Sequence, residues 1–380
     1  MKRLAAYIYS LFVIFSAYSA DWAENICSQI DRLADGTISE TSQVGIMVYD
    51  LTADSYLYGR NPRHLMRPAS TMKLLTAITA LSTLGSSHRF STSLYYRGTI
   101  FNNTFNGDIY CQGGYDPLFN GDDLTAFIEA IRRLGADTIR GHLVEVTATN
   151  ANSSTKRWGP GWCWDDENPS RAPLLISGDD SFLFRLSNEL RLAGLVVEAP
   201  RTEGSLPPDA YHLSTRYHTM SQVLMRMMKH SDNQCAESLF MSLGTNPATK
   251  VTSLIRSFGY DPTLYSIADG SGLSLYNYIS PELLVRFLRY AYENSNIFDA
   301  LYASLPIASC DGTLKRRMAK TTAAANVRAK TGTLSAISSL AGYCRASNGH
   351  LLCFAIINQG VMKSSEGRHF QDRLCIILTQ

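Results

Sequence analysis

Three short polar signatures, far apart in the chain, each stand where a regular element begins, and this ordered set limits the folds open to the chain more than any other feature. The first is Ser70-Thr-Met-Lys73. Pro68 precedes it, Gly85 closes the segment behind it, and Leu74, Leu75, Ile78, Leu81 and Leu84 give an apolar stripe, so the spacing predicts a helix of roughly four turns. Ser70 and Lys73 then share one face. Ser70 lies at the helix start, where backbone N–H groups favour a developing negative charge. A lysine placed there can take the serine proton if its surroundings lower its proton affinity. The second signature, Ser231-Asp232-Asn233, joins two helical runs. The third, Lys330-Thr331-Gly332-Thr333, opens a β-type run in which Gly332 lets the backbone approach a ligand closely. Taken singly, each has an ordinary structural explanation: a serine at a helix start, a helix cap, a strand start with an exposed lysine. Ser153-Ser-Thr-Lys156 repeats the first pattern in a polar stretch without an apolar helix and is read as an accident.

The N-terminus is of a different kind. Lys2 and Arg3 precede an apolar run from Leu4 to Phe15, then Ala17-Tyr18-Ser19. Residues 1–20 therefore read as a cleaved secretory signal, which predicts a periplasmic protein. The alternative is an uncleaved N-terminal anchor, against which the shortness of the run counts; no later stretch is long and apolar enough for a membrane span, and peripheral membrane contact stays open. A formal net charge of +2 argues against nucleic acid as a partner. No CxxC or HExxH pattern supports a metal site, and no cofactor is expected. Export would permit disulfides among the eight cysteines. Asn348-Gly349 reads as a two-residue turn between strands at 342–345 and 350–357, which would set Cys344 opposite Cys353 as a disulfide or a direct thiol contact.

Elsewhere, Val44–Tyr49 and Ser55–Tyr58 read as a hairpin, and helical spacing recurs over Thr219–Lys229, Asn233–Leu243, Pro281–Glu293 and Gly367–Leu378. Between about 88 and 210 the chain is rich in Tyr, Gly, Asn, Asp and Pro with short β-type runs, which reads as an insertion. The expected division is a catalytic domain over 21–88 and 211–380 and a β-rich inserted domain over 89–210.

The order SxxK, SDN, KTG is the set assigned to penicillin-binding proteins and class A β-lactamases. The chain resembles the low-molecular-mass class C penicillin-binding proteins, the D-alanyl-D-alanine carboxypeptidase/endopeptidases. Further likeness lies in Gly107–Pro117, Gly161-Trp-Cys-Trp-Asp-Asp166, Asp269-Gly-Ser-Gly-Leu-Ser274 and Leu305–Leu314. The resemblance implies an α+β, transpeptidase-like fold: an antiparallel sheet flanked by helices, shared with serine β-lactamases, plus the inserted domain.

It also implies roles. Ser70 would attack the carbonyl between two D-alanines of a peptidoglycan peptide and form an acyl-enzyme. Lys73 would act as general base and Ser231 would relay a proton to the leaving amine. Asn233 would hold the acyl-side amide, while Lys330 and the Thr333 hydroxyl would bind the terminal carboxylate, with Thr331 also in the substrate-binding set. Backbone N–H groups of Ser70 and Thr333 would form the oxyanion hole. β-Lactams would acylate Ser70 and leave slowly. Asp166 matches a position near the distal, diamino-acid end of the substrate. Leu275 stands where several family members carry an arginine that holds that side chain's carboxylate, so recognition by that route is in doubt; Arg316 or Arg317 could stand in. Two rivals differ in test: a serine β-lactamase would hydrolyse penicillin fast, and a non-catalytic wall-binding or penicillin-sensing module would bind peptide without releasing D-alanine. A Ser-His-Asp hydrolase lacks support, since there is no GxSxG.

Overall fold

The structure, a computed structural model, describes residues 21–147 and 168–380. The expected signal segment, Cys163, the Ser153–Lys156 repeat and Asp166 lie outside the described residues. Chain contacts divide the protein into two units, one of Met1–Leu74, Asn277–Glu293 and Leu305–Gln380, the other of Leu75–Tyr276 and Asn294–Ser304.

The first unit is built on a five-stranded sheet in the order β10-β11-β12-β1-β2, from β1 (Gln43–Asp50), β2 (Ser55–Arg60), β10 (Arg328–Leu334), β11 (Ile337–Arg345) and β12 (Leu351–Gln359). Every pairing is antiparallel. β1, β11 and β12 are buried along nearly their whole length, which means both faces are covered. On one face lie helix α1 (21–34), the short α2 (Thr37–Thr41) and α11 (Ser364–Leu378), around a core that includes Ile26, Ile46, Leu340, Phe354, Phe370 and Leu374. α9 (Pro281–Glu293) runs as the sequence predicts, and the Tyr343 hydroxyl donates to the Leu288 carbonyl at 2.8 Å. β10 stands at the edge of the sheet, where an isolated bridge ties Arg328 to Ile307.

The cysteine expectation is corrected here. Arg345 pairs with Leu351, Cys344 with Leu352 and Tyr343 with Cys353. The Ala346 N–H donates to the His350 carbonyl at 2.9 Å and Gly349 takes φ 87°, so the connection is a three-residue loop ending in a left-handed glycine. A two-residue turn would have shifted the register by one, and one step moves a side chain to the opposite face. Cys344 therefore packs in the core under α11, while Cys353 lies across from Tyr49 and Tyr343 outside that cluster. All seven described cysteines are free thiols.

The second unit carries a seven-stranded mixed sheet. β3 (Arg89–Phe101) pairs antiparallel with β4 (Thr104–Gln112) and with β9 (Tyr211–Thr219). The short β5 (Thr138–Ile139), β6 (Leu143–Val146), β7 (Val196–Val197) and β8 (Thr202–Gly204) add in parallel. The segment over 89–210 also contains two helices, α4 (Gly121–Arg132) and α5 (Phe182–Leu192), which bury Phe127, Ile131, Phe182 and Leu186 against the sheet. The Asn120–Asp123 capping box starts α4, a signal outweighed in the sequence by the surrounding turn residues. The unit is completed by α6 (Met220–His230), α7 (Asn233–Met241), α8 (Pro247–Ser257) and α10 (Ser295–Ser304). α3 (Met72–Leu84) begins in the first unit, and the division between units falls within it. Among the described residues no helix is long and apolar enough to cross a membrane, and no cluster of metal-ligating side chains occurs.

Candidate active site

The site starts from a strained turn. Ala69 sits at φ 49°, a left-handed conformation that costs a non-glycine residue about 1–2 kcal/mol. The Pro68 carbonyl holds this turn by accepting from the Thr71 hydroxyl at 2.7 Å and the Ser339 hydroxyl at 2.6 Å. Ser70 is thereby placed in a single turn of 3-10 helix (Ala69–Thr71) that runs straight into α3. One turn on, Lys73 Nζ reaches the Ser70 hydroxyl at 2.9 Å. The Lys73 side chain is wholly buried.

β10 lies directly against this turn. A Cβ added to Gly332 would stand 2.8 Å from the Pro68 carbonyl oxygen and 3.0 Å from the Ser70 nitrogen, so only glycine lets the strand come so near. Lys330, two residues earlier on the same face, is completely buried, and its Nζ donates to the Thr331 carbonyl at 2.7 Å. Burial, and after it the neighbouring Lys73 ammonium, hold Lys330 well below the ordinary lysine range. Thr331 and Thr333 point to the other face of the strand, where the Thr331 hydroxyl donates to Thr313 at 2.8 Å. The first unit thus brings Lys73 and Lys330 to Ser70, while Thr331 and Thr333 stand on the same strand with their side chains on its other face. The expected exposed lysine of an ordinary strand start is absent: Lys330 is among the largest fully buried side chains of the chain.

Ser231 and Asn233 belong to the second unit. Ser231 ends α6 in the left-handed conformation, φ 59° and ψ 34°. Asp232 caps α7 by accepting from the Cys235 N–H at 2.9 Å, and Asn233 is the first residue of that helix. Burial opposes the Asp232 charge, yet the Cys235 N–H and the Arg226 guanidinium together hold its carboxyl below the usual range. The middle residue of the signature is therefore the cap, and the serine before it is set in a strained conformation.

A buried ionic network in this unit has no counterpart in the sequence reading. Glu237, on α7 and fully buried, accepts from the Gly270 and Ser271 N–H groups at 3.0 and 2.8 Å and pairs with Arg171 at 3.0 Å. Asp269 accepts from the Gly272 and Ser274 N–H groups at 2.7 and 2.6 Å. Burial, and then the Asp269 charge, raise the Glu237 carboxyl above its ordinary range. The Asp269–Ser274 run is thus a loop tied by two carboxylates to its own and a neighbouring backbone. The turn residues announced a loop; nothing local announced Glu237 or Arg171. Leu275, half-buried, follows this loop. Arg317 is held elsewhere, by Asp372 at 2.8 Å, and Arg316 is exposed.

The chain is similar to known proteins over most of its length. The model of the D-Ala-D-Ala carboxypeptidase 3 (S13) family matches residues 27–174 and 176–380. The chain is 26% identical to a D-alanyl-D-alanine carboxypeptidase of Actinomadura sp. (strain R39), over 87% of this chain and 80% of that one. It is 25% identical to the D-alanyl-D-alanine carboxypeptidase DacB of Haemophilus influenzae, over 93% of each. The crystal structure of penicillin binding protein 4 (dacB) from Haemophilus influenzae superposes with a TM-score of 0.78 at 22% identity, covering 91% of this chain and 97% of that one. A second crystal structure of that protein holds a β-lactam. The fold is the one shared by these proteins, as the motif order predicted.

Proposed function

The chain belongs to the D-Ala-D-Ala carboxypeptidase 3 (S13) family and is a serine-type hydrolase, and on that premise we propose that it cleaves the D-Ala-D-Ala bond of peptidoglycan stem peptides through an acyl-enzyme on Ser70. The observation that carries this reading is the 2.9 Å contact between Lys73 Nζ and the Ser70 hydroxyl, beside a strand that approaches the Ser70 nitrogen as only glycine allows.

Lys73 in its neutral form takes the Ser70 proton as Oγ attacks the carbonyl carbon. The Ser70 and Thr333 N–H groups receive the developing oxyanion, a contribution of about 3–4 kcal/mol per donor in comparable sites. Ser231 passes the proton to the departing amine, and Asn233 holds the amide of the acyl chain. Lys330 with Thr331 and Thr333 receives the terminal carboxylate. The depressed proton affinity of Lys330 suits this role, because an arriving anion favours its charged form. Water then attacks the acyl-enzyme, Lys73 accepting its proton and returning it to the Ser70 oxygen as the ester bond breaks. Asp166 is assigned to the distal end of the substrate. A β-lactam enters the same cycle and stalls after acylation. The protein is an exported one, working in the periplasm, with the segment over 89–210 as an inserted module.

The test is incubation with defined monomeric and cross-linked muropeptides, products being weighed by mass spectrometry. Release of D-alanine or cleavage of the cross-link is expected, together with labelling by a fluorescent penicillin, and Ser70→Ala should abolish all of these. Fast penicillin hydrolysis without peptide cleavage would replace this reading with a β-lactamase. Peptide binding without turnover would leave only a binding module.

A further inference from the structure

Helices α3 and α7, which each carry a signature residue, are tied to one another through a single glycine. On α3, Thr76 lies one turn beyond Lys73, and its buried hydroxyl donates to the Gly270 carbonyl at 2.7 Å. On α7, Glu237 lies one turn beyond Asn233 and accepts from the N–H group of that same glycine at 3.0 Å. Residues three or four apart share a helix face, so Thr76 belongs to the Lys73 face of α3 and Glu237 to the Asn233 face of α7.

The approach to α7 is as tight as chemistry permits. A Cβ added to Gly270 would stand 2.4 Å from the Phe240 Cβ and 2.8 Å from the Ala236 carbonyl oxygen, so only glycine lets the loop lie on that helix. Both ends of the tie are fixed. Arg171 holds the Glu237 carboxylate from the other side, donating from Nε at 3.2 Å and from Nη2 at 3.0 Å to the oxygen that the loop does not use. Asp269 locks the loop onto its own backbone through the Gly272 and Ser274 N–H groups. A wholly buried ion pair is weak evidence for stability, since apolar residues of similar volume hold a core as well or better. Nor does α7 need Glu237 as a cap, because Asp232 fills that place. What the network supplies is a fixed separation of two helices.

We infer that Glu237 and Thr76 are positioning residues, which hold Gly270 as a spacer between α3 and α7 and so set where the Asn233 side chain meets the acyl-side amide of the substrate. This rests on the proposed peptidase reading and on the role given there to Asn233. Loosening either tie lets the start of α7 shift against α3, and about half an ångström of error in such a group is enough to slow a reaction. The loss falls on substrates that offer Asn233 an amide, and spares those that offer none.

The experiment uses the full chain and two β-lactams with the same bicyclic nucleus, benzylpenicillin with its side-chain amide and penicillanic acid without one. Adduct formation is followed by intact mass for wild type, Thr76→Val, Thr76→Ser and Glu237→Gln. Wild type should react faster with benzylpenicillin. Thr76→Val and Glu237→Gln should lower the second-order rate of acylation by benzylpenicillin about tenfold, and that by penicillanic acid by less than about twofold. Thr76→Ser keeps the hydroxyl and should restore the wild-type preference. Equal losses on both compounds, an unchanged preference in Thr76→Val, or a wild type without preference overturns the inference while leaving the peptidase reading intact. If Glu237→Gln does not fold, the two Thr76 variants decide alone. A wild type that forms no adduct with either compound and releases no D-alanine overturns both.

Discussion

Replacing Gly332 by alanine tests the geometry on which the reaction depends. The new methyl carbon would lie 2.2 Å from the Ser339 hydroxyl, 2.8 Å from the Pro68 carbonyl oxygen and 3.0 Å from the Ser70 nitrogen. The first clash can be eased by rotating Ser339, at the loss of its 2.6 Å bond to Pro68. The second cannot, because Pro68 is backbone in a strained turn. A comfortable carbon–oxygen contact is about 3.3 Å, so β10 and the Ser70 turn must separate by about half an ångström. The proposed oxyanion donors, the N–H groups of Ser70 and Thr333, sit on either side of that gap. Catalytic groups tolerate about 0.5 Å of error, and removing one oxyanion donor lowers kcat about 10²–10³-fold. Gly332→Ala should therefore reduce D-alanine release and the rate of acylation by fluorescent penicillin about 10²-fold. Overpacking should cost about 1–3 kcal/mol of stability, read by thermal melting, and leave a folded protein. Adding Ser339→Gly removes the 2.2 Å clash but not the 2.8 Å one, so the double variant should stay impaired. Activity within threefold of wild type in Gly332→Ala would refute the close approach of strand and turn.

Three further outcomes follow from the same geometry. Lys330→Met should match or exceed wild-type stability at pH 7 while losing peptidase activity, since it removes a buried ammonium held below its ordinary range. The sign is set by proton binding: between the depressed native pKa and the unfolded value near about 10.4 the unfolded chain binds more protons, so wild-type stability rises with pH there and the variant's advantage shrinks; denaturant melts showing equal destabilisation at pH 7 and 9.5 would contradict this. Ser231→Gly should relieve the left-handed strain at φ 59°, leaving stability unchanged or higher by up to about 1 kcal/mol, while peptide turnover falls at least about 10²-fold; a clear loss of stability speaks against the strain. Native alkylation should reach the exposed Cys310 before the buried Cys344 and Cys353, and peptide mapping without reductant should recover both of the latter unlinked; a linked pair would contradict the hairpin register.

Much of the site is legible from the order of residues alone, because its signals are local. A proline before Ser70, apolar residues at helical spacing behind it, and a cap at Asp232 are decided within one or two turns of chain. Likewise α9 and the β1–β2 hairpin could be delimited from spacing and turn residues. Helices α5 and α10 rest on packing more than on any cap in the sequence, while the capping box of α4 and the proline start of α8 are local signals set among turn residues.

Distance in the sequence hides the rest. That Lys330 is buried beside Lys73 and that Ser339 braces the Pro68 turn depend on which strand neighbours which and in what register. The β11–β12 loop shows how sharp that dependence is: one extra loop residue places Cys344 and Cys353 on opposite faces. The sequence by itself determined which groups are available and where helices and strands can start, since those are short-range matters of sterics and hydrogen bonding. Only the tertiary structure decided which groups meet, because burial and strand register are properties of the assembled sheet.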